Sequence, residues 1–403
     1  MDFISQYILA NSGTQVPLRF TRWSAVFLLG TVSGRRVFVD HLHFEHRPTV
    51  YLCFVGDPAS GKTTAMNAAS NMFRDVFPSE SVGASVTTRE KIVELMAKDD
   101  YMRCYTDETG VLIECRPNTF FINELENFLS HNPRGMVQFL TDVYDSKFFD
   151  SATLKHGLQP LINPCINLLA CTVPEYITEV LRMRIMGRGF SRRLLFIYET
   201  EMPDPITFPI KTSEAYKAEE WCRSHLQKVQ KVCGKMEWAP GAKDFFHRWN
   251  MGLPRKVVSI FQGYHSSKDV LAQKIAMSLA LSEDEPKLLF TQPLLERAIA
   301  FLESNEENQD KLAVAVGRNE LALPQARLLE YLEANDGMMP EKRWHRHASL
   351  DLNEMEYASV KRLLKETDQL HEHSIDNKGF REVIVMTHAK YLNLVANGGI
   401  IIK

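Results

Sequence analysis

The 403-residue chain has no Cys-x-x-Cys pair, no apolar stretch of membrane-spanning length and almost no net charge to set it apart, and each shortage removes a class of protein. No apolar run approaches the roughly 20 residues of a membrane-spanning helix. The start, Met1-Asp2-Phe3-Ile4-Ser5-Gln6, lacks the basic opening and apolar core of a secretory signal. The seven cysteines are an odd set, and several sit in apolar runs such as Leu52-Cys53-Phe54 and Leu169-Ala170-Cys171. They read as reduced core residues of a cytoplasmic protein with no membrane partner. Lys and Arg total 47 against 50 Asp and Glu, a net charge of −3, so the chain does not coat a polyanion. With 45% hydrophobic and 24% charged residues it is ordinary globular material, long enough for two or three domains.

No internal repeat or low-complexity tract divides the chain. Residues 1–45 read as a helical segment, with an apolar helix over Phe20–Thr31 and a short strand over Arg36–Val39. From 46 to 200, short apolar strands at Val50–Val55, Thr119–Ile122, Ile166–Cys171 and Leu194–Tyr198 alternate with helices. That alternation predicts an α/β core with a mostly parallel sheet. After Met202-Pro203-Asp204-Pro205, residues 201–318 turn largely helical, and Leu323-Pro324 opens a tail over 319–403.

What is present is a phosphate-binding pattern. The strand ending at Val55 runs into Gly56-Asp57-Pro58-Ala59-Ser60-Gly61-Lys62-Thr63-Thr64, which fits G-x-x-x-x-G-K-[ST]. Glycines let backbone N–H groups curl around phosphates, and the next helix turns its positive end to them. Lys62 would reach the β- and γ-phosphates of ATP, and Thr63 would hold Mg²⁺. A second strand ends in Asn123-Glu124, where Glu124 would polarise the attacking water and share in holding Mg²⁺. Asn123 stands where an acid is common and would act on the metal through a water. Its plainer role for Glu124 is a helix-start acid favoured by the dipole. Thr172, at the tip of Ile166–Cys171, is either a γ-phosphate sensor or an N-cap.

Five arginines fall in Arg182–Arg193 ahead of the strand Leu194–Tyr198. Either Arg188, Arg192 or Arg193 reaches into a neighbouring subunit's ATP, which requires a homo-oligomer with shared sites, or the run is a solvated basic turn.

In this order, the phosphate loop, Phe120-Phe121-Ile122-Asn123-Glu124-Leu125, Leu169–Pro174 and Gly187-Arg188-Gly189-Phe190-Ser191-Arg192-Arg193 resemble the AAA+ ATPases. More narrowly they are similar to helicase-type P-loop ATPases of phages and mobile elements, related to superfamily 3 and MCM helicases and often associated with a primase. The likeness covers about residues 15–310. It implies an AAA+ core with a parallel sheet, a helical lid over 201–318, and a hexameric ring working on single-stranded or forked DNA in a bacterial cytoplasm. It also implies a DNA-gripping hairpin between acid and sensor, and Lys155-His156-Gly157 stands there between two extended pieces. A few cations repeated around a ring need no basic subunit. Lys268, near the start of the helix that runs to Leu281, is a lid residue that would reach back to the phosphates.

The tail reads helix, helix, helix, hairpin: Gln325–Glu333, Pro340–His347 and Glu354–Asp368, then strands His371–Ile375 and Arg381–Thr387 around Asn377-Lys378-Gly379. This looks like a winged-helix domain that binds DNA or docks a protein. Residues 320–403 hold 11 basic and 13 acidic residues, which favours neither. His41-Leu42-His43 with His46, and His371-Glu372-His373, lack a third convergent group and are assigned no zinc. Beside a DNA helicase or translocase, two readings stay open: a loader or remodeller acting on a protein, and an ATP-gated winged-helix regulator.

Overall fold

The structure, a computed structural model, describes residues 1–107, 109–153, 157–177, 188–254, 262–349, 352–377 and 380–397. It divides into two compact units, Met1–Ala313 and Val314–Lys403. The stretches 1–45, 46–200 and 201–313 thus share one unit. The helix Phe3–Ala10 packs on Ser213–Val229, and the buried helix Leu18–Ser33 packs on Lys62–Val76.

Among the described residues, nine strands fall in the first two hundred positions: β1 Val37–His41, β2 Phe44–His46, β3 Tyr51–Val55, β4 Arg103–Thr106, β5 Leu112–Ile122, β6 Phe148–Thr153, β7 Gly157–Ile162, β8 Pro164–Thr172 and β9 Leu194–Tyr198. Five form the central sheet in the order β4-β5-β8-β3-β9. The pairs β5–β8, β8–β3 and β3–β9 are parallel, and only the edge strand β4 runs against its neighbour. Strands β3, β8 and β9 are buried from end to end. Continuous apolar runs of this kind are what a parallel sheet covered on both faces requires.

The register fixes the working edge. Val55 pairs with Thr172 and Tyr198, and Ile122 pairs with Ala170. The carboxyl ends of β3, β5, β8 and β9 therefore lie together. Strand β8 separates the acid strand β5 from β3, so Glu124 is not on the strand next to the glycine-rich loop. On the far side of β5, Val82 makes a single parallel bridge to Thr119.

Several elements differ from the sequence expectation. Strand β5 starts at Leu112, because Pro117 lies past the point where β4 pairs and removes no ladder bond on that side. The helix expected from Glu124 to Tyr144 is two helices, Leu125–Leu129 and Pro133–Val143. Asn132 caps the second by accepting from Gly135 N at 3.0 Å, with Pro133 in its first turn. The helix Lys268–Ser282 is buried nearly all round rather than amphipathic.

The break expected at Leu323-Pro324 does not occur. Gln292–Glu333 is one helix, which costs the hydrogen bond that Pro324 cannot donate. In the second unit, Glu341–Ala348 and Glu354–Glu366 pack with Leu328 and Leu332 around fully buried Trp344, whose indole N–H donates to Leu328 O at 3.1 Å. Strand Phe380–Thr387 pairs with both Leu370–Asn377 and Met338–Pro340. The strand Met338–Pro340 and a closing helix, His388–Ala396, were not foreseen. Of the expected wing, Lys378 and Gly379 lie outside the described residues.

Candidate nucleotide site

Residues Gly56–Gly61 leave the carboxyl end of β3 and enter the helix Lys62–Val76. Ala59 and Gly61 have φ of 65° and 77°, the left-handed region in which glycine is unstrained. A Cβ on Gly61 would stand 3.0 Å from Pro17 Cδ and 3.1 Å from Gln15 O. The segment before the helix Leu18–Ser33 is therefore laid against the loop. Ser60 N closes a turn on Asp57 O at 3.2 Å.

Lys62 folds over the loop it follows. Its Nζ donates to Gly56 O at 2.5 Å, Asp57 O at 2.6 Å and Ser60 Oγ at 3.1 Å. Burial lowers its pKa, opposed by the Cys171 thiol and by carboxylates that include Asp57 and Glu175. Glu175 was not singled out in the sequence. It is exposed in a short helical turn after Thr172, and its signal is an acid three residues beyond a polar strand tip. Thr63 and Thr64 are exposed at the first turn of Lys62–Val76, where the backbone N–H groups of a helix start are unpaired.

A cleft opens beside this turn. About 570 Å³ of it is open to the centres of water molecules, within the range of small-ligand pockets. Loop residues Ala59–Thr64 form one wall, and Thr14, Gln15, Ile206 and Pro209 form the other. The second wall was missed, because its residues come from two loops far apart in the chain and carry no motif.

Asn123 and Glu124 follow β5 directly and are both exposed. Glu124 is the N-cap of Leu125–Leu129 by backbone, and its Oε2 accepts from Asn127 Nδ2 at 2.5 Å. Thr172 ends β8 and is buried, beside Val55. The Thr63 hydroxyl, the Asn123 amide oxygen and the Glu124 carboxylate are hard oxygen donors, which suit Mg²⁺.

No family model matches the chain. No curated protein matches it either.

The arginines sit at the other end of the sheet. Leu194 pairs with Tyr51, so Arg192 and Arg193 precede the end of β9 opposite the loop, about 17 Å away along a five-residue strand. Arg188 begins the short helix Arg188–Ser191, while Arg182 and Arg184 lie outside the described residues. Arg192 is exposed and donates from Nε to Ser267 Oγ at 2.9 Å. Arg193 turns inward: its guanidinium lies 5.6 Å from the Tyr144 ring centre and donates to Gly189 O at 2.8 Å.

Strands β6 and β7 pair antiparallel from Phe148–Ile162 to Thr153–Gly157, but Lys155 and His156 lie outside the described residues. Lys268 is bound to Glu306 at 2.9 Å and faces Trp249, so it does not reach the loop. His41 bonds Gln273 Oε1 at 2.8 Å, and His371 bonds His388 at 2.8 Å while stacking on Tyr391. Among the described residues no helix is long and apolar enough to cross a membrane.

Proposed function

We propose that the chain is an AAA+ P-loop ATPase that works as a ring-forming DNA helicase or translocase. The observation carrying this reading is the sheet edge itself. A left-handed glycine loop with an inserted lysine ends β3, a polar-tipped strand lies next to it, and an acid ends the strand beyond. In this arrangement the acid and the lysine approach a phosphate chain from different sides, as cleavage of a terminal phosphate requires.

Lys62 would leave the Gly56 and Asp57 carbonyls for the β- and γ-phosphates of ATP. Glu124 would hold the attacking water, and Thr172 would contact the γ-phosphate. Mg²⁺, held by Thr63 and Glu124 with Asn123 acting through water, would neutralise charge on the phosphates. The arginines serve a neighbouring molecule in this scheme, because 17 Å separates them from their own loop by the strand length used above. Arg192 is the strongest choice of the three, since Arg193 is occupied with Tyr144. Lys155 and His156 would hold the DNA backbone.

The second unit supports a narrower role. Its helix, sheet and hairpin order fits a winged helix, yet two of the three cations of its third helix are already paired, while Arg362, 3.7 Å from Glu366, stays exposed. Lys361 pairs with Glu341 and with Glu372 at 2.6 Å, and Lys365 pairs with Glu372 at 2.7 Å. A helix so paired suits docking on a protein, such as a primase, better than binding phosphates. The decisive experiment measures ATP turnover with and without single-stranded DNA. Stimulation supports a DNA motor; turnover indifferent to DNA but raised by a protein partner would move the reading to a loader.

A further inference from the structure

A second cavity lies behind the central sheet, in the same unit but away from the nucleotide edge. It holds about 480 Å³ of empty space, part of it open to solvent, and about 30 Å³ admits the centres of water molecules. That is room for two or so waters or one small ion. Its walls include Thr31, Arg35, Arg36, Glu80, Arg103 and Asn167. Three arginines and one glutamate thus share its lining.

The polar atoms here are unusual in being unpaired. Arg35 is 3% exposed and donates from Nη1 to Pro164 O at 3.0 Å, while its Nε and Nη2 have no hydrogen-bond partner. These two N–H groups form the edge of a guanidinium that grips an oxyanion with two parallel bonds. The Thr31 hydroxyl and Asn167 Oδ1 are buried without partners as well. Asn167 Nδ2 donates to Thr119 Oγ1 at 3.2 Å. Since a hydroxyl both donates and accepts, turning the amide over keeps that bond and presents the NH₂ group to the cavity.

The other arginines are held in place around it. Arg36 donates to Val32 O at 3.0 Å and lies 5.5 Å from the Tyr105 ring centre. Arg103 pairs with Glu80 at 3.4 Å and donates to Asp100 O at 2.7 Å. Leaving a buried donor unpaired costs about 1–3 kcal/mol, more for a charged group. All four such atoms belong to residues that line this one space.

We propose that this cavity binds a small oxyanion, phosphate- or carboxylate-sized, gripped bidentately by Arg35 and bonded by Thr31 and Asn167. The site is separate from the nucleotide loop. Thr119 and Asn167 lie three and five strand residues before the ends of β5 and β8, about 10–17 Å from that edge.

The test measures thermal stabilisation of the full chain by inorganic phosphate, sulfate and formate at constant ionic strength. It uses the unchanged chain, Lys62→Ala, Arg35→Gln and Thr31→Val. Saturable stabilisation that survives Lys62→Ala and weakens about 10-fold in Arg35→Gln is the expected result, a loss on the scale of one charged hydrogen bond. Thr31→Val keeps the shape of the side chain. It should weaken the ion about 3-fold or more while leaving the melting temperature in ion-free buffer unchanged. A formate preference over phosphate would assign a carboxylate, and the reverse a phosphate. Should Arg35→Gln fail to fold, the Thr31→Val affinity decides alone. Loss of the effect in Lys62→Ala would place the ion at the glycine loop, and equal affinity in the chain and Thr31→Val would mean that water fills the cavity. Either result overturns the proposal.

Discussion

Lys62 and Glu124 are the residues on which the proposed chemistry turns, and they fail differently when changed. Lys62 is held by three loop oxygens, so Lys62→Ala removes loop structure as well as charge. Both ATP affinity and turnover should fall, turnover by about 100-fold or more. Glu124 is exposed and, among the described residues, its carboxylate is tied to Asn127. Glu124→Gln keeps that contact and removes the base; turnover should drop about 100-fold or more while ATP still binds. Equilibrium nucleotide binding and single-turnover hydrolysis separate the two, and undiminished hydrolysis in Glu124→Gln would refute its role. His46 allows a prediction about stability. Burial first, then the Lys274 ammonium and last the neighbouring His41 push its pKa down to about 4, against the pull of Asp145. A depressed histidine binds fewer protons folded than unfolded. Stability therefore falls as pH drops from about 6.5 towards 4, by about 1–3 kcal/mol from this one group. In His46→Gln the difference in unfolding free energy from urea melts between pH 7 and pH 4.5 should shrink by that amount relative to the unchanged chain; an equal difference would remove the claim.

At the scale of elements, the glycine loop and the segment Thr14–Pro17 behave as one. Gly61 has φ 77°, and any Cβ there crowds Pro17 and Gln15 O. Gly61→Ala should cost about 1–2 kcal/mol in backbone strain alone, and moving the Gln15 segment reshapes the cleft it lines. ATP affinity should fall about 10-fold or more, while the melting temperature drops only a few degrees; unaltered affinity would show that the cleft is not the nucleotide site. This pairing also marks what the sequence could and could not show. The loop, β9 from Leu194 to Tyr198 and the edge residues Asn123, Glu124 and Thr172 were legible, because local motifs and apolar runs announce them. The far wall of the cleft was not, since Thr14, Gln15, Ile206 and Pro209 meet only through tertiary packing. The break at Asn132-Pro133 was hidden by apolar spacing that stays in phase across it. The burial of Lys268–Ser282 on all sides was hidden too: Lys274 is completely buried, yet it donates to Arg47 O at 2.9 Å and pairs with Asp145 at 2.9 Å, so a core position carries a charge.

Over the whole molecule, a subunit of the proposed ring, with Arg192 and Arg193 at the end of the sheet opposite its own loop, would complete a site only on a neighbour. Contacts of that kind are head to tail, and when the rotation closes they make a ring. Arg192 meets the requirement best: it is exposed, and its one described bond, from Nε to Ser267, leaves the terminal nitrogens for a partner's phosphate. The consequence is complementation between two dead subunits. Lys62→Ala lacks the lysine of its own loop but still offers Arg192; Arg192→Ala offers the lysine but not the arginine. Mixed in equal amounts and allowed to exchange, about a quarter of the junctions would bring a sound loop against a sound arginine, so a mixture of two inactive proteins should regain about a quarter of the turnover. Mass photometry on the same sample gives the ring size, six subunits being the expected number. If Arg192 served its own loop, every subunit in the mixture would stay incomplete and the mixture would be as inactive as its parts. Activity that rises on mixing can arise only from sites built by two chains.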